Sequence, residues 1–356
     1  MKKTIDAIRD LITAVGRPVR LMEVCGTHTV AIFRHGIRDI LPKEMVLLSG
    51  PGCPVCVTSI RDVDTVIELS KLKDTIITTF GDMMRVPGAE KNLSQAKAEG
   101  SDIRIVYSPL DALKLAETER DKKIVFFATG FETTSPLVAG TLAEADARKI
   151  GNFSIYSVHK TVPPALRALV ESPDVRIDGF ILPGHVTTII GMKPYEFLAG
   201  DYGKPAVVTG FDASDILNSI LMLLKQIVRH ESRIENAYAK VVKEGGNPRA
   251  VELLEEFFEP ADVYWRGIGM IPGSGLRLRD RHAERDIMRS VALEVPEGRE
   301  PKACSCGDVL RGIRVPTECA LFGRTCTPDS PVGACMVSTE GSCAAYFKYR
   351  AVPRES

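Results

Sequence analysis

The sequence predicts an α/β protein of two similar parallel-sheet lobes facing a cleft, with an irregular Cys-rich unit at the C-terminus. Three observations carry this. Seven short β-branched or apolar runs recur along the chain, five of them ending in Gly-containing turns. Helical stretches follow them, and the repeat of roughly 25–30 residues fits βα units. The cysteines fall into two narrow zones instead of spreading along the chain. Continuous apolar strands of this kind suit a parallel sheet covered on both faces.

The first segment, MKKTIDAIRDLITAVG, mixes charges at helical spacing and lacks an uninterrupted apolar core, so it reads as a helix and not an export signal. Strands are expected in EMVLLSGPG (44–52), DTIITTFGD (74–82), IRIVYSP (103–109) and KIVFFATGF (123–131), within a first lobe spanning 1–150. FSIYSVH (153–159), GFILPGH (179–185) and PAVVTGFD (205–212) belong to a second lobe, 151–285. LLSGPGCPVC with TIITTFGDMM echoes FILPGHVTTI with AVVTGFDASD, each a strand, Pro-Gly turn, helix, strand and acidic turn. Segment 212–260 reads as helical, strongly amphipathic over DASDILNSILMLLKQIV and broken at Gly245-Gly246-Asn247-Pro248. A turn-rich stretch, IGMIPGSGL (268–276), leads to the Cys-rich unit, 286–356.

Composition narrows the function. At 356 residues the chain is long enough for two or three domains with a core that needs no covalent staple. Lys plus Arg equals Asp plus Glu at 46 each, which argues against a bulk nucleic-acid or anionic-membrane binder. No apolar run reaches the roughly 18 residues of a spanning helix. The expectation is a soluble, cytoplasmic protein.

Nine cysteines are present, and residues 57–303 contain none. A secreted disulfide scaffold would be small and evenly stapled, so this pattern favours metal or redox chemistry in a reducing compartment. Gly-Pro-Gly-Cys53-Pro54-Val55-Cys56 closes a strand and opens a helix. Pro54 suits the first helical position, and Cys53 at a helix N-terminus would have its thiol pKa lowered by the dipole. A redox pair is the favoured reading. Half a zinc site is the alternative, but no second C-x-x-C completes one.

In Cys25-Gly26-Thr27-His28-Thr29 a thiol precedes an imidazole by three residues. That grouping suits a soft metal ligand with a neighbouring hydrogen-bond donor, although a Cys near a His is also a common buried pair. Cys304, Cys319, Cys326 and Cys343 read C-x14-C-x6-C-x16-C, which is no zinc-finger spacing. Four thiolates from an irregular segment suit a [4Fe-4S] cluster. Cys306 and Cys335 are then left over, with a disulfide beside the cluster as one option. Three structural disulfides are the competing reading.

Ligands of open α/β sheets lie beyond the carboxyl ends of the strands. There the sequence places Cys53, Cys56, Asp82, Glu132 with Thr133 and Thr134, His159, His185 and Asp212. His35, His230 and His282 stand in charged surroundings and read as surface residues. IPGSG (271–275) lacks the full phosphate-loop pattern, and no G-x-G-x-x-G occurs.

CGTHT (25–29), GPGCPVC (50–56), GFETT (130–134), LPGHV (182–186), IPGSGL (271–276) and the spaced C-terminal cysteines together resemble the HypD family of [NiFe] hydrogenase maturation factors. The resemblance spans nearly the whole chain in the family's order. It implies two α/β lobes, a cluster-bearing third domain, and an assembly scaffold with redox activity in place of a conventional enzyme. With a HypC-like small chaperone, such a scaffold builds the Fe(CN)2CO unit, and the pair HypE and HypF delivers cyanide. Carried over, Cys25 would bind iron(II) bearing CN and CO together with a cysteine of the HypC-like partner, with His28 beside it. Cys53 and Cys56 would be the redox-active pair in the cleft, with Glu132 and His185 as further site residues. Cys304, Cys319, Cys326 and Cys343 would ligate the [4Fe-4S] cluster, and Cys306 and Cys335 would form a second thiol pair.

The layout is also similar to ferredoxin–thioredoxin reductase, so a free-standing thiol–disulfide reductase is the alternative. It leaves the Cys25 motif unused. A nucleic-acid enzyme with a structural cluster is disfavoured by the neutral charge.

Overall fold

Alternation within the apolar strands decides the layering. The computed structural model describes residues 1–296 and 298–349. Its first sheet is formed by β1 (Val19–Glu23), β2 (Met45–Ser49), β7 (Gly179–Pro183), β8 (Ala206–Thr209) and β9 (Ile234–Asn236), in the order β2-β1-β7-β8-β9. The second contains β3 (Thr75–Thr79), β4 (Ile103–Ile105), β5 (Lys123–Ala128) and β6 (Phe153–Ser157), in the order β4-β3-β5-β6. Every pairing in both sheets is parallel.

In the first sheet Leu21, Ile181 and Val207 point to one face. There they meet Ile8 and Ile12 of the helix Lys2–Val15 and Ile216, Ile220 and Leu223 of the helix Ala213–Val228. Spacings of three and four place those helical residues on one stripe. Met22, Phe180, Leu182 and Val208 point to the other face and share a core with Trp265, Cys56, Cys306 and Cys335. The Cys-rich segment thus packs directly beneath the first sheet. In the second sheet Val125 and Phe127 face one core, and Ile124, Phe126 and Ala128 face the other. Both faces are covered, as continuous apolar strands require.

The fold class matches the sequence expectation, and several details differ. The sheets do not divide at residue 150: β1 and β2 lie in one sheet with β7 to β9, while β3 to β6 form the other. β1 is central, hydrogen-bonded to β2 and β7, so the first sheet closes only when the chain returns to it. The echo between 47–84 and 180–215 is therefore no structural repeat. β2 and β3 belong to different sheets, whereas β7 and β8 are neighbours.

Segment 212–260 is helical only over Ala213–Val228 and Pro248–Phe257, with β9 between them. The turn-rich stretch belongs to an antiparallel hairpin, β10 (Phe258–Trp265) with β11 (Gly269–Leu278). Its alternating buried and exposed residues mark one solvated face. His282, expected at the surface, stacks on Phe257 with centroids 4.1 Å apart. Of the C-terminal unit, Glu297 and residues 350–356 lie outside the described residues. Among the described residues no helix is long and apolar enough to cross a membrane.

Candidate functional site

Strand order changes direction between β1 and β7 in one sheet and between β3 and β5 in the other. Such switch points open a crevice at the carboxyl ends of the strands. The loop after β1 carries Cys25, the helix Gly184–Ile190 that directly follows β7 carries His185, and the loop after β5 carries Phe131 to Thr134. These segments face one another across a single cleft lined by Cys25, Thr27, Gly52, Thr133, Thr134, His185 and Glu340, among others.

Cys25 ends an extended stretch (φ −151°, ψ 124°) and caps the helix Gly26–Arg34. Its backbone N–H donates to the Glu23 carboxylate at 3.1 Å. The sulfur accepts from the backbone N–H groups of His28 and Thr27, yet burial pushes the thiol up to about 12. Without a positive partner Cys25 is a thiol, and a metal would have to displace its proton. Glu23 is buried, accepts from Thr29 Oγ1 at 2.5 Å, and is pushed up to about 7 by that burial.

His28 is fully buried behind this loop. Its Nε2 lies 2.9 Å from the Gly210 carbonyl, and its Nδ1 has no partner. Desolvation lowers its pKa to about 4, so the ring is neutral. Phe211 lies between His28 and His185, with centroids 4.7 Å and 4.0 Å away. His185 is lowered by burial, opposed by Glu340. Glu340 comes from between the last cysteines and accepts from Thr27 Oγ1 at 2.8 Å.

Glu132 lies behind the cleft wall. It accepts from the Val162 N–H at 2.8 Å through Oε1, its Oε2 has no partner, and burial pushes it up to about 7. His159 is buried away from the cleft, 3.0 Å from Ser157 Oγ and edge-on to Phe258. Asp82 and Asp212 are exposed at their strand ends. Glu23, Phe211 and Glu340 carried no sequence signal as site residues, because each becomes one only by tertiary packing.

Cys53 caps the helix Pro54–Val57 with Pro54 in its first turn, as the motif predicts. Its sulfur is 2.7 Å from that of Cys56. Burial raises the Cys56 thiol well above its ordinary range. Cys56 also contacts Cys335, Cys335 contacts Cys306 and Cys343, and Cys306 contacts Cys304. The result is a continuous line of sulfurs from the C-x-x-C helix into the C-terminal segment. All nine cysteines are free thiols.

The six C-terminal cysteines line one cavity, walled by Val309, Leu321, Phe322 and Met336. A Cβ on Gly333 would come 2.8 Å from Cys304 Sγ, so only glycine leaves room there. The Val332 N–H donates to Cys326 Sγ at 3.4 Å. Among the described residues no three His, Cys, Asp or Glu side chains are disposed around a single metal ion. Soft thiols around an apolar cavity, with an N–H aimed at one sulfur and no carboxylate in the lining, fit the ligand chemistry of an iron–sulfur cluster.

Comparison with known proteins points one way. Residues 1–350 match the profile described as the Hydrogenase formation hypA family, HypD. The chain is 46% identical over 349 residues to the hydrogenase maturation factor HypD of Rhizobium leguminosarum bv. viciae, covering 95% of this chain and 91% of that protein. It is 46% identical over 338 residues to HypD of Escherichia coli (strain K12), covering 94% and 90%. With HypD of Azotobacter vinelandii the identity is 45% over 340 residues, again covering 94% and 90%.

Proposed function

Because this chain belongs to the HypD family of hydrogenase maturation factors, we propose that it is the scaffold on which iron receives its CN and CO ligands. In this reading a HypC-like chaperone docks at the cleft. Cys25 and a cysteine of that partner hold the iron(II) cargo, and a HypE-like protein delivers cyanide. Thiolate suits low-spin iron carrying such ligands. His185, Thr133 and Thr134 line the same cleft and offer polar groups to a bound diatomic or to the partner.

Cys304, Cys319, Cys326 and Cys343 would hold a [4Fe-4S] cluster, which when bound supplies single electrons. Cys53 and Cys56 cycle between a disulfide and two thiols, a change of two electrons and two protons. Cys335 and Cys306 lie between that pair and the C-terminal cavity. Nine free thiols suit the reducing cytoplasm.

One observation supports the scaffold over a bare reductase: the Cys25 cleft adjoins the redox pair and stays separate from the sulfur line. The Gly26 N–H donates to the Gly52 carbonyl at 3.0 Å, one residue before Cys53. A thiol–disulfide reductase has no use for a third isolated cysteine with its own cleft.

The test is infrared spectroscopy of the protein co-purified with its small partner. The wild type should show CO and CN stretching bands. Cys25→Ser should lose them while keeping its fold, its brown colour and an oxidisable Cys53–Cys56 pair. Bands that survive in Cys25→Ser would favour the reductase.

A further inference from the structure

A buried guanidinium stands beside the sulfur line. Arg266 follows Trp265 at the turn between β10 and β11 and is 4% exposed. Its backbone N–H donates to the Val57 carbonyl at 2.9 Å, at the end of the C-x-x-C helix. Nη2 donates to the Pro87 carbonyl, and Nη1 is buried with no partner. Arg266 lines a small cavity with Cys304, Cys306, Gly333 and Glu300. Gly267 brings it there: φ is +74°, and a Cβ would come 2.6 Å from Gly307 Cα, next to Cys306. The turn and the cysteine loop therefore meet glycine to glycine.

Burying an arginine with an unused donor costs stability unless a negative charge compensates it. Cys304 and Cys306 line that same cavity and are the nearest groups that could carry such a charge as ligands. Glu300 is the carboxylate at hand, and it accepts from the Gly267 N–H at 2.7 Å. The missing charge is that of a thiolate-ligated centre.

We propose that Arg266 is a positioning residue that holds a permanent positive charge against the C-terminal cluster site and so raises the reduction potential of the cluster. This rests on the cluster reading above. Reduction adds one electron and therefore one unit of negative charge. A guanidinium remains protonated throughout and takes up no proton in the step. A buried cation favours the more negative, reduced form, most strongly where water is excluded.

The test uses the full-length protein reconstituted anaerobically with iron and sulfide, and a dithionite titration followed by electron paramagnetic resonance. Arg266→Gln keeps amide donors but loses the charge. It should weaken reduction about tenfold or more, which is ~59 mV or more downward for a one-electron couple. Arg266→Lys should retain most of the wild-type potential. Glu300→Gln, which keeps an oxygen for Gly267, should shift the potential upward. That variant carries the test if Arg266→Gln does not fold. An unchanged potential in a fully loaded Arg266→Gln overturns the proposal, as does no upward shift in Glu300→Gln. Wild-type protein that takes up no acid-labile sulfide overturns the cluster reading and this proposal with it.

Discussion

Cys335 touches Cys56, so the C-terminal cysteine segment and the C-x-x-C helix meet sulfur to sulfur. Both residues are 0% exposed, and burial contributes to holding both as thiols. A soluble reductant should therefore reach Cys53–Cys56 only slowly, and in the proposed relay Cys335 would be the contact through which reduction arrives. Cys335→Ala should fold, at a cost of about 1 kcal/mol. After mild oxidation and addition of dithionite, its recovery of the two thiols, followed by alkylation and mass spectrometry, should slow at least about tenfold. Recovery at the wild-type rate would mean that the pair is reduced from solvent.

Gly52 is where the Cys25 loop and the Cys53 loop are fixed together. A Cβ there would lie 2.2 Å from the Cys25 nitrogen and 2.4 Å from the Val24 carbonyl carbon. Both are backbone atoms, so no side-chain rotation relieves the clash. Gly52→Ala should cost about 2–3 kcal/mol, read as a lower urea midpoint, and should speed alkylation of Cys25 as the loops part. Gly140→Ala is the control. That glycine lies inside the helix Ser135–Ala147 with open space around its Cβ position, so alanine should stabilise by about 0.5–1 kcal/mol.

Glu132 gives a pH signature. Its folded pKa is raised from 4.5 to about 7 by burial, so between those values the folded state holds a proton that the unfolded chain has released. Its contribution to stability is present below pH 4.5, is lost as pH rises to about 7, and stays lost above. Glu132→Gln keeps an oxygen for the Val162 N–H and puts an amide where Oε2 had no partner. At pH 8 the variant should be more stable than the wild type by about 3 kcal/mol, each pKa unit being worth ~1.4 kcal/mol. The gap should close by pH 4.5. Parallel stability curves for the two proteins would show that Glu132 has a solvated path.

Much of this was legible in the sequence, and the misses share a cause. β2 to β8 announce themselves as apolar runs, and glycine closes all of them but β4 and β6. β1, VRLME, does not, because Arg20 and Glu23 interrupt it. Glu23 is nevertheless buried, its charge suppressed and its oxygens committed to Cys25 and Thr29. β10 and β11 alternate apolar and polar residues, so a search for continuous apolar runs passes over them. Cys25, His185 and Thr133, which line one cleft, are legible because chemistry-bearing residues at strand ends are local facts. Glu340 and Phe211 join them only through contacts with distant segments, which no window along the chain contains.

Phe211 supports the last prediction. It lies two residues past the end of β8, next to the Gly210 whose carbonyl meets His28 Nε2, and it separates the two imidazoles by stacking on both. The ring is only partly buried, so Phe211→Ala should cost about 2–3 kcal/mol, short of a full core deletion. The site should change more than the stability. Desolvation is the main cause lowering His28 to about 4 and the main cause lowering His185. Removing Phe211 admits water to both rings, and both pKa values should rise toward the ordinary 6.5, measured by NMR titration of the imidazole protons. The sign for stability follows. His28 binds its proton less readily in the folded state, so its contribution is complete above pH 6.5 and is lost as pH falls toward 4. Phe211→Ala, with His28 closer to its ordinary value, should lose less stability than the wild type across that window. Phe211→Leu keeps the volume without the aromatic face and should leave both pKa values low, which separates water exclusion from ring stacking. Imidazoles that titrate alike in wild type and Phe211→Ala would mean that other residues keep the cleft wall dry.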